Sequence, residues 1–198
     1  MKIGILTLPF NNNYGGYLQA YALMTVLKKM NHSVELINRR PKSWSLWRCT
    51  KYLLRNTGMI LLRKPHRQFM PNPEKEIEYD GQLMLKFVDK HIIPRTMPIY
   101  SFKEMQQVIV GRYDAIVVGS DQVWRPEYVP NIEEFFLSFL PDESIKRVAY
   151  AASFGTNTPH YTQQEISVCS DNLMKFSAIS VREEGGIGVI ARMGWKPV

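Results

Sequence analysis

The 198 residues have a hydrophobic fraction of 45%, enough to bury a core in one domain or one and a half. No apolar run is long enough to span a bilayer. The two cysteines, Cys49 and Cys169, are far apart and unpatterned, which excludes a disulfide framework or a zinc ribbon and points to a reducing compartment. The net charge of +7 is local: nine Lys/Arg and no acid lie between Arg39 and Arg67, while the rest of the chain holds sixteen bases against eighteen acids. A whole-domain nucleic-acid reading of the basic balance is weakened by that distribution, and nucleic acid ranks last among the expected partners.

Lys2 to Leu8 reads as a first, central strand, with no signal-peptide core ahead of it, so a cytoplasmic chain is expected. Pro9 to Gly16 follows as a loop rich in Asn and Gly. Leu18, Tyr21, Ala22, Thr25, Val26 and Met30 recur at helical spacing over Tyr17 to Met30, and Ser33 to Asn38 is a second strand. Strand, loop, helix and strand in this order imply a parallel sheet. The Asn11–Gly16 loop is no dinucleotide fingerprint, and there is no Walker A motif. Asn13, Tyr14, Gly15 and Gln19 nevertheless lie at a helix start, an end that favours polar or anionic ligands. A tight turn needing glycine for geometry alone accounts for the same residues.

Residues 41–73 differ in character. Trp44, Leu46, Trp47, Leu53, Leu54 and Ile60 alternate with Arg48, Lys51, Arg55 and Arg63. The pattern predicts one or two short basic amphipathic helices inserted into the domain. They either cover an edge of the sheet or lie on an anionic membrane surface through residues 41–67. Glu74 to His91 is expected to be helical, with Leu83, Phe87 and His91 on one face. Ser101 to Val108 is expected to be a helix with Ser101 and Glu104 as a capping box.

Ala115 to Val118 is an unbroken apolar run, the signature of a strand buried on both faces. It stops at Gly119, and Ser120, Asp121, Gln122, Trp124 and Arg125 follow before Pro126. Ile132 to Leu140 fits a strand or a short helix. Arg147 to Ala152 is a fourth strand ending in Ser153-Phe154-Gly155. Thr162 to Lys175 is a helix capped by Thr162 and Glu165. Ser177 to Val181 is a fifth strand ending in Arg182-Glu183-Glu184, and Gly185 to Met193 is a weaker helix. The last five residues look like the approach to another strand, which suggests a truncated chain.

Four polar turns should therefore gather at the carboxyl ends of the strands, where open α/β sheets bind ligands. Their amides, hydroxyls, carboxylates and aromatic rings suit a hydroxyl-rich ligand such as a saccharide. The scattered histidines make a poor metal site, and no Ser sits in a nucleophile elbow. His160, just beyond the Ser153 turn, is a candidate to pair with Asp121 as an acid/base couple.

Asn13-Tyr14-Gly15-Gly16-Tyr17-Leu18-Gln19, Gly119-Ser120-Asp121-Gln122-Val123-Trp124, Arg147 to Gly155 and Ile179 to Glu183 resemble the polysaccharide pyruvyl transferase family, in its order and at about its spacing. The Gly-Ser-Asp-Gln-Val-Trp run is the specific match. The chain departs from the common pattern at Gly16-Tyr17 and at Arg125, changes able to alter acceptor choice. The resemblance implies a Rossmann-like α/β domain, a parallel sheet flanked by helices, forming the N-terminal half of a glycosyltransferase-B-like pair whose second domain is absent or truncated here. It also implies transfer of a pyruvyl group from phosphoenolpyruvate, a co-substrate rather than a cofactor, onto a cell-envelope saccharide, free or lipid-linked. The donor-binding cluster of the family belongs mainly to the other half, so this fragment alone is expected to be inactive.

On that resemblance Asp121 is the hydroxyl-orienting carboxylate. Ser120, Gln122 and Ser153 are hydrogen-bond partners, Phe154 is an aromatic face, Trp124 is either a stacking face or a core plug, and Arg182 reaches an anionic group or pairs with Glu183 or Glu184. A nucleotide-sugar glycosyltransferase domain and a non-catalytic saccharide-binding module are the alternatives.

Overall fold

The computed structural model describes residues 1–10, 13–42, 82–141 and 145–195. Five strands, β1 (Lys2–Leu6), β2 (Ser33–Leu36), β3 (Ala115–Asp121), β4 (Lys146–Ala152) and β5 (Ala178–Val181), form one sheet in the order β2-β1-β3-β4-β5. Every pairing is parallel. Among the described residues six helices connect or follow them: α1 (Tyr14–Lys29), α2 (Gln82–His91), α3 (Phe102–Ile109), α4 (Ile132–Phe135), α5 (Gln163–Leu173) and α6 (Glu184–Arg192). This is the expected Rossmann-like architecture, with the strand order of its flavodoxin-like variant.

Strand side chains alternate between the two faces of a sheet. Ile3, Ile5, Ala115 and Val117 therefore pack with Tyr17, Ala20 and Met24 of α1 and with Met84 and Val88 of α2. Leu6, Ile116 and Val118 pack on the other side with α3 to α6, around Met105, Phe135, Leu173 and Val189. Two hydrophobic layers explain why the β3 run shows no polar alternation.

The helix starts follow their caps. Asn13 Oδ1 accepts from the Gly15 N–H at 3.0 Å, so α1 begins at Tyr14, and Tyr14, Gly15 and Gly16 form its first turn rather than a loop. Thr162 and Glu165 complete both halves of a capping box on α5. Ser101 caps α3 as expected, although Glu104 reaches back to the N–H of Tyr100. The ambiguous segment becomes helix over Ile132–Phe135, capped by Asn131.

The expected faces of two helices need correction. The buried side of α1 carries Tyr17, Ala20, Leu23 and Met24, while Leu18, Val26 and Met30 are exposed. Apolar residues surround most of this helix, so periodicity alone does not choose a face. In α2 the core residues are Met84 and Val88, and Leu83 is exposed. The expected basic helices of residues 41–73 lie outside the described residues from position 43 onward. Among the described residues, no helix is long and apolar enough to cross a membrane.

Candidate functional site

Chain order along the sheet reverses between β1 and β3, and at such a point the loops leaving adjacent strands run to opposite faces and open a crevice. The residues leaving β3 turn sharply there. Gly119 has φ +124°, and a Cβ on it would lie 2.2 Å from the carbonyl oxygen of Tyr150 on β4. Only glycine fits. Asp121 also has a positive φ, +86°, an unusual conformation for a residue with a side chain, though Asp is among those that adopt it most readily.

The turn aims three polar side chains at their neighbours. Ser120 Oγ donates to Gln19 Oε1 at 2.5 Å. Gln19 Nε2 in turn donates to Asp121 Oδ2 at 3.2 Å and makes a longer contact, 3.4 Å, to Thr7 Oγ1. Asp121 Oδ1 accepts from its neighbour, the Gln122 N–H, at 2.9 Å and from Arg182 Nη1 at 3.2 Å. Arg182 Nη2 donates to Ser153 Oγ at 3.1 Å, and Ser153 Oγ donates to Glu183 Oε1 at 2.7 Å. One continuous network thus joins the carboxyl ends of β1, β3, β4 and β5 to the first turns of α1. The Ser153 N–H donates to the Asp121 carbonyl at 2.9 Å, which fixes both on the same rim.

Beside this network lies a cleft of about 70 Å³, lined by Asn13, Gly16 and Tyr17 on one side and Asp121, Gln122 and Tyr128 on the other. A Cβ on Gly16 would meet nothing within 4 Å, so the backbone of α1 is open toward solvent there. Among the described residues, no three His, Cys, Asp or Glu side chains gather as a metal site.

The structure therefore brings Asn13, Gln19, Ser120, Asp121, Gln122, Ser153 and Arg182 to one rim, with Gly15 in the adjoining first turn. Tyr14, 65% exposed, projects from that turn and does not line the cleft. Three expectations need correction. Trp124 is fully buried: its ring stacks on Phe136 at 4.9 Å and its Nε1–H donates to the Phe135 carbonyl at 3.0 Å. It is a core residue with no face to offer a sugar, because the chain turns inward after Gln122 and lays the indole under the rim. Phe154 is likewise fully buried, packed against Trp124. His160 does not pair with Asp121. The neighbouring Tyr161 is drawn inward, its hydroxyl donating to the Trp124 carbonyl at 2.6 Å, and His160 is left exposed.

Arg182 settles between two carboxylates, Asp121 and Glu183, the latter at 3.4 Å. Sequence reasoning missed Thr7 and Tyr128 as members of this region, while the pairing of Arg182 with Glu183 was one of the expectations. Thr7 falls within the expected first strand, which ends at Leu6. Tyr128 sits on a short 3-10 turn (Pro126–Tyr128) that no motif marks.

No curated protein matches the chain. The family model for polysaccharide pyruvyl transferase matches residues 13–198, which takes in α1, the Gly119–Trp124 turn and the strands β2 to β5. With a match of that extent and a parallel sheet whose polar turns meet at one edge, the chain belongs to the polysaccharide pyruvyl transferase family.

Proposed function

We propose that this chain forms the acceptor side of an enzyme that transfers the pyruvyl group of phosphoenolpyruvate to two hydroxyls of a saccharide, giving a ketal. Both hydroxyl oxygens bond to C2 of the enol, the C2–O bond to phosphate breaks, and the methylene carbon gains a proton. The two hydroxyl protons account for that proton and for the one carried off by hydrogen phosphate. Such a reaction needs groups that hold and orient two hydroxyls before attack.

The observation that carries this reading is the state of Asp121. A carboxylate offers about four acceptor positions. Three are taken, by Gln19, Arg182 and the Gln122 N–H, and the carboxylate still lines the cleft. Held by three donors, it accepts from a sugar hydroxyl in a fixed direction. Ser120 and Gln19 support it, and the Arg182–Ser153–Glu183 chain keeps its orientation. Cationic groups for the donor's carboxylate and phosphate belong in this reading to a second domain across the cleft, in a glycosyltransferase-B-like arrangement. The acceptor is a cell-envelope saccharide, and a lipid-linked one would suit a basic segment at 41–67 that touches an anionic membrane.

The test is phosphate release from phosphoenolpyruvate by the full-length gene product, with cell-envelope saccharides as acceptors. Release that depends on a saccharide and yields a product heavier by one pyruvyl group supports the reading. Turnover of a sugar nucleotide in its place would reassign the rim to a glycosyltransferase, and saccharide binding without turnover of either donor would make it a binding module.

A further inference from the structure

Three aromatic side chains line the cleft beside Asp121. Phe10 and Tyr17 stack on each other, with ring centroids 4.7 Å apart, while Tyr128 has no ring against it among the described residues. Tyr128 is held without being covered. Pro126 opens the 3-10 turn that carries it, and the Tyr128 N–H donates to the Arg125 carbonyl at 3.0 Å. The Arg125 guanidinium lies over the ring, 4.4 Å from its centre, a cation–π contact. That guanidinium is anchored in turn, donating to Gln122 Oε1 at 3.1 Å and to Glu127 Oε2 at 3.2 Å. With the cation over one face, 49% of Tyr128 still meets solvent.

An exposed tyrosine by itself means little, since single apolar side chains are common on protein surfaces. This one is fixed on the same wall as Asp121 and Gln122, and across from it is Gly16, where even a Cβ would meet nothing within 4 Å. A flat apolar face beside hydroxyl acceptors is the complement of a pyranose ring. Axial C–H bonds make the faces of that ring apolar, and equatorial hydroxyls radiate from its edge. A sugar that lays a C–H face on Tyr128 extends its edge hydroxyls along the wall to Asp121 and Gln122. An anion suits this wall poorly, because Arg125 is paired with Glu127 and Arg182 with Asp121 and Glu183.

We propose that Tyr128 is the stacking platform for a pyranoside acceptor, its ring backed by Arg125 and its other face turned to the sugar. The inference rests on the saccharide-acceptor reading above. It adds the apolar contact that Trp124 and Phe154, both in the core, do not supply. Asp121 orients a hydroxyl, and Tyr128 sets which face of the sugar lies down when it does so. The platform therefore selects among epimers, since an axial hydroxyl on the stacked face lifts the sugar off the ring.

The experiment uses the full chain and two variants. Tyr128→Leu keeps an apolar side chain and removes the flat ring; Tyr128→Phe puts the ring back without the hydroxyl. Binding of methyl β-galactoside, methyl α-mannoside and methyl N-acetyl-β-glucosaminide is followed by ligand-observed NMR, without phosphoenolpyruvate. At least one glycoside should bind, with the protons of one sugar face moved upfield by the ring current. Tyr128→Leu should abolish that shift and weaken binding by about three- to tenfold. Tyr128→Phe should rescue both. A shift confined to one face is a readout that a merely structural role for Tyr128 would not produce. Equal affinity of wild type and Tyr128→Leu, a Tyr128→Phe variant as weak as Tyr128→Leu, or binding of no glycoside would each overturn the proposal. Because no donor is present, a failure of phosphate release in the separate assay would sink the transfer reaction and leave this result standing.

Discussion

Arg182 Nη1 lies 3.2 Å from Asp121 Oδ1, so the first residue after the edge strand β5 is tied to the last residue of the central strand β3. The same guanidinium holds Ser153 at the end of β4. Three strand ends therefore share one cation, and the carboxylate facing the cleft cannot turn without breaking that link. The arginine is 47% exposed, so water screens the pair and its worth to stability is small. Replacing Arg182 by Gln should move the thermal midpoint little while lowering saccharide-dependent phosphate release by about tenfold or more, because Asp121 loses its orientation rather than its fold. A large fall in the midpoint would show the pair to be structural.

Asp121 itself separates backbone from chemistry. Asn is close to isosteric and tolerates a positive φ at least as well as Asp, so Asp121→Asn should fold with an unchanged circular-dichroism spectrum and midpoint. Its transfer activity should fall by roughly 10²-fold or more, the scale of a lost acid–base group. Asp121→Val places a β-branched side chain at φ +86° and should be destabilised as well.

Gly119→Ala should be the most damaging single-atom change at the rim. The new Cβ would meet the Tyr150 carbonyl oxygen at 2.2 Å, a backbone atom that cannot move without disturbing the β3–β4 ladder. A cost of about 2 kcal/mol or more is expected in urea unfolding.

Trp124 gives the opposite pattern. Trp124→Ala should cost about 3–5 kcal/mol by emptying a core position. Trp124→Phe should keep the acceptor KM unchanged, losing stability through the orphaned Phe135 carbonyl and the space the smaller ring leaves in the core. A rise in KM at full folding would return the indole to the binding site.

At the amino side of the sheet, Glu35 accepts a forked pair of hydrogen bonds from Arg112 and one from the Tyr113 hydroxyl at 2.7 Å. Burial pushes its carboxyl up, but the Arg112 and Tyr113 hydrogen bonds and the Arg112 and Lys2 charges outweigh it, and the net shift is downward. A group with a depressed folded pKa contributes stability that is present above the unfolded value, about 4.3 for Glu. That contribution is lost as pH falls through the lower folded value. Glu35→Gln should therefore flatten the acid limb of a stability–pH curve below about pH 5, and leave transfer activity at neutral pH untouched.

Much of the fold was written in local patterns. The Ser101 and Thr162 caps, the unbroken apolar run of β3 and the turn residues after it needed no distant contact to be read, because capping and strand burial act within a few residues. Apolar periodicity was less decisive where a helix is apolar on most sides, which is why the buried face of α1 was misassigned to Leu18 and Val26.

The sequence by itself determined that polar turns follow parallel strands, and that their chemistry suits hydroxyls. It could not say which side chains of those turns point outward. Trp124 and Phe154 stand beside Asp121 and Ser153 in sequence, yet they went into the core while the carboxylate and the hydroxyl stayed on the rim. That choice belongs to the tertiary structure, since it depends on a cavity among Phe135, Phe136 and Phe176, residues remote along the chain, being large enough to take an indole. The pairing of Asp121 with Arg182 rather than His160 was decided the same way, by which strand end the sheet places beside β3 and β4 and not by distance along the chain.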